Sequence, residues 1–390
     1  MQRGAVAVGR LRLDLNRRPT GLLVQNLQVA DTAVGTDFAP MDAWCAVVMS
    51  PDDSSGSTKD WIDRFRPSFA QRFVLLLVGL GDDRSGWQCW MVHRGDVQAI
   101  NKLEVIGGDG LRVGESETAD FFDNDPDRFS RVENAVGPGY GQLRRSSVVL
   151  VGCSRSGTLA ASMFASLGVR RLVLIDGDRI EPHNLDGMFL AAEKNVGEFK
   201  SDVLANRLHQ YRPTLAITPV CRSLGSRIEE PEIGNCHLIV TCVDQDGARL
   251  RAAAIARRRM IPHLDIGTGV AASDTGAREI AGDVRLLLPG KGCIVCVGGL
   301  VDMDRARWEL AAPPGSLYPI RSKPWNETRL GSLITNNSTA VATGVQSWIQ
   351  YLNKELNTSI WHRMIWQANG AISVESAPAT RGENCGFCSE

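Results

Sequence analysis

A strand, a turn with two glycines and a helix follow one another in the middle of this chain. Residues 147–151 read SVVLV, an apolar run typical of a buried strand. Residues 158–167 have helical spacing and precede Gly168, a residue that favours a helix C-terminus. The next apolar strand, 171–175, ends at Asp176. A strand, a helix and a second strand at this spacing predict a crossover between two parallel strands.

The same alternation continues and predicts the fold class. Further helices and strands are predicted at 200–211, 215–220, 237–241, 247–259 and 262–266. A helix is predicted over 337–352, and strands at 361–367 and 371–375 flank Asn369-Gly370, a dipeptide typical of a hairpin turn. Strands that alternate with helices predict an α/β protein with a doubly wound sheet covered on both faces.

Charge and length divide the chain into two parts. The 390 residues carry 43 Lys and Arg against 44 Asp and Glu, which argues against nucleic acid as the main partner. Residues 1–127 hold an acidic excess that ends in the acidic stretch 115–127. We therefore predict a smaller N-terminal α+β module over 1–127, with a docking or dimer-supporting role, ahead of a larger domain over 128–390. Its predicted elements are strands at 72–79 and 87–93 and a loop at 51–59.

The expected compartment determines whether the cysteines are predicted to form disulfides. The chain has no apolar run of the about 20 residues that a membrane helix needs, and its first residues lack the apolar core of a secretory signal. We therefore expect a cytoplasmic protein, in which the ten cysteines are thiols or metal ligands. Two Cys-x-x-Cys pairs, Cys293/Cys296 and Cys385/Cys388, have spacing that suits a tetrahedral zinc site, with plain thiols or a redox pair as the alternative.

The turn at 152–157, GCSRSG, is a candidate phosphate-binding loop. Gly152 and Gly157 would let backbone N–H groups and the start of the next helix face a phosphate, and Asp176 would bind ribose hydroxyls. Ser154 stands where a dinucleotide fingerprint has its second glycine. An ordinary strand–helix turn is therefore the alternative.

Polar residues beyond Asp176 favour ATP over a nicotinamide cofactor. Lys200 opens a predicted helix and Asp244 follows a predicted strand, so both would lie at the carboxyl edge of the sheet, where ligands bind. Lysine suits phosphate charge, and an aspartate such as Asp244 suits Mg²⁺. The plainer interpretations are a solvated first-turn lysine and an aspartate that only caps its helix.

These residues resemble the motifs of the ThiF/MoeB/ubiquitin-activating superfamily of adenylyltransferases. The likeness covers residues 128–390. Its motifs are RFSR at 128–131, GCSRSG at 152–157, LIDGDRIEPHNL at 174–185, VGEFK at 196–200 and TCVD at 241–244. The two Cys-x-x-Cys pairs stand where many members bind Zn²⁺. The resemblance implies a Rossmann-like adenylation domain with a zinc knuckle, which activates the C-terminal carboxylate of a ubiquitin-like or sulfur-carrier protein.

The resemblance also implies that ATP and Mg²⁺ bind the matching residues of this chain. The implied set is Gly152, Arg155 and Gly157 at the phosphates, Asp176 at the ribose, Asn184 and Lys200 at the triphosphate, and Asp244 at Mg²⁺. Asp178 would support Asp176 or only its loop. Arg131 resembles the arginine that reaches the ATP of a partner subunit, which implies a homodimer; a plain surface arginine is the alternative. The products would be an acyl-adenylate and pyrophosphate.

Two departures from the family pattern have consequences. Gly187 stands where many members have an arginine, and we hypothesise that Arg155 supplies that cation. No cysteine lies between Cys296 and Cys385, where conjugating members keep a thioester cysteine. The chain would therefore stop at the adenylate, pass the acyl group to a thiol of another protein such as a conjugating enzyme, or use an isolated cysteine elsewhere.

Similar bacterial proteins work beside a conjugating enzyme and a deconjugating protease in phage-defence operons, where additional N-terminal modules occur. The resemblance therefore favours a bacterial ubiquitin-like system in antiviral defence over cofactor biosynthesis. Two other function classes stay open. One is a non-catalytic scaffold, which Gly187 favours and the retained Asp176, Lys200 and Asp244 disfavour. The other is a nicotinamide-dependent oxidoreductase, which would not need Lys200 or Asp244.

Overall fold

The chain divides into two compact units, residues 1–120 and residues 121–390. The structure is a computed structural model. In the first unit it describes the backbones of eight strands. In the second unit it describes residues 128–224, 233, 236–272, 278–300, 302–311, 331–367, 370–383 and 385–388. The predicted loop at 51–59 and the acidic stretch at 115–127 lie outside the described residues.

The described strands of the first unit form one sheet. They are β1 Gly4–Leu13, β2 Pro19–Ala30, β3 Ala43–Met49, β4 Phe73–Gly79, β5 Trp87–His93, β6 Asp96–Ile100, β7 Lys102–Ile106 and β8 Gly110–Gly114. Their order is β6–β5–β4–β3–β1–β2–β8–β7, with β3 and β4 parallel and the other neighbours antiparallel. The strands predicted at 72–79 and 87–93 are confirmed as β4 and β5. The helical part of the predicted α+β module lies outside the described residues.

The second unit is an α/β domain. Its strands are β9 Ser147–Val151, β10 Arg171–Ile175, β11 Ala216–Val220, β12 Leu238–Thr241, β13 His263–Ala272, β14 Arg278–Leu287, β15 Ile360–Trp366 and β16 Ile372–Pro378. Its described α-helices are α1 Ser130–Val136, α2 Tyr140–Arg145, α3 Arg155–Leu167, α4 Lys200–Tyr211, α5 Asp246–Arg259, α6 Met303–Ala311 and α7 Ile334–Leu352. None of these described helices has the length and apolar composition to cross a membrane.

The sheet of the second unit has a parallel and an antiparallel half. Its order is β11–β10–β9–β12–β13–β14–β15–β16. The strands from β11 to β13 pair in parallel, which confirms the predicted α/β crossovers. From β13 onward the pairs are antiparallel, and β15 with β16 forms the predicted hairpin. The connection from β13 to β14, residues 273–277, is too short for a helical crossover, so β14 must return in the opposite direction.

Hydrophobic clusters cover both faces of this sheet. All five residues of β9 are buried, and successive side chains point to opposite faces. Leu150 belongs to the cluster that contains Phe164 of α3 and Trp348 of α7, whereas Val149 belongs to the cluster that contains Ala252 of α5. Helices α3 and α5 each begin shortly after a parallel strand, so their first turns lie at the carboxyl edge of the sheet.

Candidate functional site

Two glycines determine the shape of the turn between β9 and α3. Gly152 has a φ of +91°, and a Cβ atom there would lie 2.5 Å from the carbonyl oxygen of Cys242. A Cβ atom on Gly157 would lie 1.9 Å from the carbonyl oxygen of Gly152. Neither position accepts a side chain. The turn is therefore tight, and the first N–H groups of α3 point to the carboxyl edge, where Ser154 makes no side-chain cap.

Asp176 ties this turn to the end of β10. Its Oδ2 accepts a hydrogen bond from the Cys153 N–H at 2.7 Å, and its Oδ1 accepts one from the Asp178 N–H at 2.8 Å. Burial raises the pKa of Asp176, while the two backbone donors and Lys200 oppose that rise. A carboxylate oxygen can accept a second hydrogen bond, so ribose hydroxyl groups can still bind here.

Lys200 and Asp178 form an ion pair beside Asp176. The Nζ of Lys200 lies 3.0 Å from Oδ2 of Asp178, with 9% of the lysine side chain exposed and 71% of the aspartate side chain exposed. The backbone N–H of Lys200 also donates to the Asp178 carbonyl at 3.0 Å. Lys200 is therefore held at the start of α4 rather than solvated, and Asp178 contacts both Asp176 and Lys200.

Arg155, the first residue of α3, reaches the loop that follows β10. Its Nη2 lies 2.6 and 2.8 Å from the two carboxylate oxygens of Asp186, and its Nη1 donates to the Ser332 carbonyl at 2.8 Å. The aliphatic part of the side chain passes over Gly187, where a Cβ atom would lie 2.3 Å from Cγ of Arg155. Gly187 has no side chain in the space that Arg155 occupies. The role of Arg155 as a replacement cation stays a prediction.

The structure places Asn184 and Asp244 at the same edge and Arg131 elsewhere. Asn184 is buried in the loop after β10, and its Oδ1 accepts a backbone hydrogen bond within that loop at 3.0 Å. Asp244 is exposed just beyond β12, the neighbour of β9. Arg131 is exposed on α1, and nearby Phe129 packs beside Gly168 at the amino-terminal edge of the sheet. A role for Arg131 at ATP would therefore need a second copy of the chain.

Sequence patterns do not reveal the buried charged network beneath α5. Thr241 Oγ1 donates to Oδ1 of Asp265 at 2.7 Å, Arg285 Nη1 lies 3.0 Å from its Oδ2, and Arg249 Nε lies 3.4 Å from its Oδ1. His263 Nε2 lies 2.9 Å from Thr241 Oγ1. Since Thr241 is the last residue of β12, the network lies just inside the carboxyl edge.

The network contains two titratable groups with shifted pKa values. Burial alone would raise the pKa of Asp265, but Arg249 and Arg285 hold it below its usual range. Burial lowers the pKa of His263 to about 4, so the imidazole is neutral at pH 7. The network therefore consists of one carboxylate shared by two guanidinium groups, with a neutral histidine beside it.

The two Cys-x-x-Cys pairs meet in one cluster. All four Sγ atoms lie within 4.8 Å of one another. The Sγ distances are 3.6 Å for Cys293–Cys296, 3.7 Å for Cys293–Cys385 and 3.3 Å for Cys296–Cys388. Tetrahedral zinc with Zn–S bonds of about 2.3 Å would place the sulfur atoms about 3.8 Å apart. The four thiols can therefore hold a metal ion, and their donor set fits zinc.

The remaining described cysteines near the carboxyl edge are not activated thiols. Cys153 is fully buried, and burial raises its pKa well above the usual value. Burial also raises the pKa of Cys221 and of Cys242. A nucleophilic cysteine needs a lowered pKa and access to solvent. The raised pKa values of these three thiols therefore favour a packing role over a nucleophilic one.

Comparison with known proteins settles the family. The model of the ThiF family matches residues 128–352, more than half of the chain. The chain belongs to the ThiF family. The E. coli MccB structures share its fold: one, with succinimide, has a TM-score of 0.51 at 19% identity and covers 68% of this chain and 74% of that chain. A second, with ATP, has a TM-score of 0.50 at 20% identity, with 68% and 75% covered.

Curated relatives match parts of the same region. Ubiquitin-like modifier-activating enzyme 5 of Oryza sativa subsp. japonica is 27% identical over 42% of this chain and 40% of its own length. Sulfur carrier protein ThiS adenylyltransferase of Escherichia coli strain K12 is 29% identical over 34% of this chain and 55% of its own length. The chain spans between 22% and 55% of the length of these two relatives and of six further curated relatives.

Proposed function

We propose that the second unit uses ATP to adenylate the C-terminal carboxylate of a ubiquitin-like or sulfur-carrier protein. The observation that carries this proposal is the convergence of a glycine-determined turn, Asp176, the Lys200–Asp178 pair and Arg155 at one edge of the sheet. Such an edge offers a phosphate cradle, a ribose acceptor and two cations. Membership of the ThiF family and the names of the curated relatives support the substrate class.

In the proposed reaction a carboxylate oxygen of the carrier protein attacks the α-phosphorus of ATP. The bond from that phosphorus to the oxygen of the β-phosphate breaks, and pyrophosphate leaves with the bonding electrons. The acyl-adenylate of the carrier remains. Negative charge grows on the leaving pyrophosphate, so Lys200 and Arg155, both held in place before the reaction, would stabilise the transition state.

Each further predicted site residue has a place in this proposal. Gly152 and Gly157 shape the phosphate turn, and Asn184 would approach the triphosphate from its buried loop. Asp244 would hold Mg²⁺, which supplies further positive charge to the phosphates. The cysteine cluster would hold Zn²⁺ in a structural role, because four thiolates leave no open coordination position.

The proposed reaction implies two further partners, a second copy of the chain and an acceptor for the acyl group. A homodimer would bring the exposed Arg131 of one chain to the ATP of the other. A conjugating enzyme or another acceptor would take the acyl group, since burial raises the pKa of each cysteine near the edge for which a shift is resolved. The docking role of residues 1–127 and a setting in antiviral defence stay predictions, and phage plating with and without the active protein would check the latter.

Isotope exchange between pyrophosphate and ATP tests the proposal, with candidate carrier proteins added one at a time. Exchange that depends on a carrier with an intact C-terminal carboxylate would support it. Exchange should disappear when that carboxylate is amidated, because the attacking oxygen is lost. If no carrier encoded beside this protein supports exchange, the proposed adenylyltransferase activity is wrong. The non-catalytic scaffold is then the remaining function. Binding of a nicotinamide cofactor in place of ATP would favour the oxidoreductase.

A further inference from the structure

Two contacts with uncharged groups help to hold Arg155 in position. Its aliphatic part crosses Gly187 so closely that a Cβ atom there would lie 2.3 Å from Cγ. Its Nη1 donates to the Ser332 carbonyl at 2.8 Å, and 24% of its side chain is exposed. The guanidinium group would therefore stay near this place even without an anionic partner.

Asp186 adds a negative charge at this position. Both of its carboxylate oxygens contact Nη2 of Arg155, at 2.6 and 2.8 Å, and 63% of its side chain is exposed. The described contacts of this carboxylate are with Arg155. A carboxylate with both oxygens on one guanidinium nitrogen resembles a phosphate, because both groups are negatively charged and both accept hydrogen bonds from N–H donors. Asp186 therefore occupies a donor group of Arg155 that is also suited to a phosphate oxygen.

We propose that Asp186 holds the guanidinium of Arg155 in place of the triphosphate, and that ATP binding transfers Arg155 from Asp186 to a phosphate. This inference rests on the proposed function. No covalent bond changes, since one charge-assisted hydrogen bond replaces another. Asp186 then acts on ATP only through Arg155: its carboxylate competes with the phosphate for the guanidinium group, and it lowers the affinity for ATP because its ion pair must break first.

The size of this effect follows from the exposure of the pair. Exposed ion pairs contribute about 0.2–1 kcal/mol, which corresponds to at most about a fivefold change in affinity. Asp186→Asn should therefore tighten the binding of α,β-methylene-ATP, an analogue that cannot release pyrophosphate, by up to about fivefold. Isothermal titration calorimetry measures this dissociation constant directly. Glu193→Gln removes an equal charge from an exposed side chain in the same connecting segment and should leave the constant unchanged.

A double-mutant cycle separates this inference from simple repulsion between Asp186 and the nucleotide. In an Arg155→Ala background, Asp186→Asn should have no effect on the affinity, because the competing pair no longer exists. An equal gain in both backgrounds would overturn the inference, as would unchanged or weaker binding by Asp186→Asn alone. Asp186→Glu, which keeps a carboxylate in reach, should bind the analogue as wild type does.

Binding of the analogue by the wild-type protein distinguishes a failure of the proposed nucleotide site from a failure of the role of Asp186. If the wild-type protein does not bind α,β-methylene-ATP, the nucleotide site itself is wrong and the proposed function fails with it. If wild type binds and Lys200→Ala weakens that binding, while Asp186→Asn changes nothing, only the role of Asp186 is wrong. Thermal unfolding of each variant checks that the exposed substitution leaves the fold intact.

Discussion

Two arginine–carboxylate pairs in the second unit differ in their access to water. Arg155 meets Asp186 at the carboxyl edge, where 63% of the Asp186 side chain is exposed. Arg285 meets Asp265 beneath α5, where none of the Asp265 side chain is exposed. Water can replace a lost partner at the exposed pair but not at the buried one. The exposed pair can therefore exchange partners at low cost, whereas exchange at the buried pair would leave a charge without water or a partner.

Removing the buried carboxylate tests this contrast most strongly. Asp265→Ala leaves Arg249 and Arg285 buried without their shared partner, so the free energy of unfolding should fall by about 3–5 kcal/mol. Urea unfolding measures the change. Asp186→Ala, which breaks the exposed pair, should change the same quantity by about 1 kcal/mol or less. Similar losses in the two variants would contradict the distinction.

Lys200 should affect catalysis rather than stability. Lys200→Ala removes a cation held beside the proposed phosphates, so the pyrophosphate exchange rate should fall by about 10²- to 10³-fold. The free energy of unfolding should change little by comparison with Asp265→Ala. Lys194→Ala, which alters an exposed lysine in the preceding loop, is the matched control and should exchange normally. A normal exchange rate in Lys200→Ala would show that Lys200 has no role in the reaction.

Arg155 should have a smaller effect of the same kind. Arg155→Ala loses a hydrogen bond to a charged group, and the exchange rate should fall by about 10- to 100-fold. Gly187→Ala should act in the same direction, since the new Cβ atom displaces the aliphatic part of Arg155. Normal exchange by both variants would show that the cation at this position is dispensable.

The buried network should also make stability depend on pH. Because burial lowers the pKa of His263 from 6.5 to about 4, the unfolded chain binds a proton first as the pH falls. Stability from this group is therefore present above pH 6.5 and is lost between pH 6.5 and 4. The loss between pH 7 and 5.5 should be about 1 kcal/mol in urea unfolding. His263→Gln should flatten this part of the pH profile; an unchanged slope would assign it to other groups.

The carboxyl edge was largely predictable because its residues follow strands. Asp176 and Asp244 come directly after apolar runs, and parallel strands bring such positions together whatever their exact register. The Cys-x-x-Cys spacing carried similar information for the metal cluster. In these cases local order along the chain determines which residues meet.

The buried charged network could not be predicted from local order along the chain. Asp265, Arg285 and Arg249 lie on two strands and a helix, and they meet because Asp265 and Arg285 pair in register across β13 and β14. A shift by one residue would turn these side chains to opposite faces. The sequence also predicts this strand only over 262–266, whereas β13 continues to Ala272. The contact of Arg155 with Gly187 depends likewise on a loop conformation that no periodicity predicts.

The position of the cysteine cluster along the chain has a consequence for the whole carboxyl edge. Cys293 and Cys296 precede α6, and Cys385 and Cys388 follow β16. A metal bound to all four would close a ring of chain that contains α6, α7, β15 and β16, and closing a long loop removes entropy from the unfolded state. Ser332, which accepts the hydrogen bond from Arg155, lies within that ring. Removal of the metal by a chelator should therefore loosen one of the supports of Arg155 at a distance from the thiols themselves.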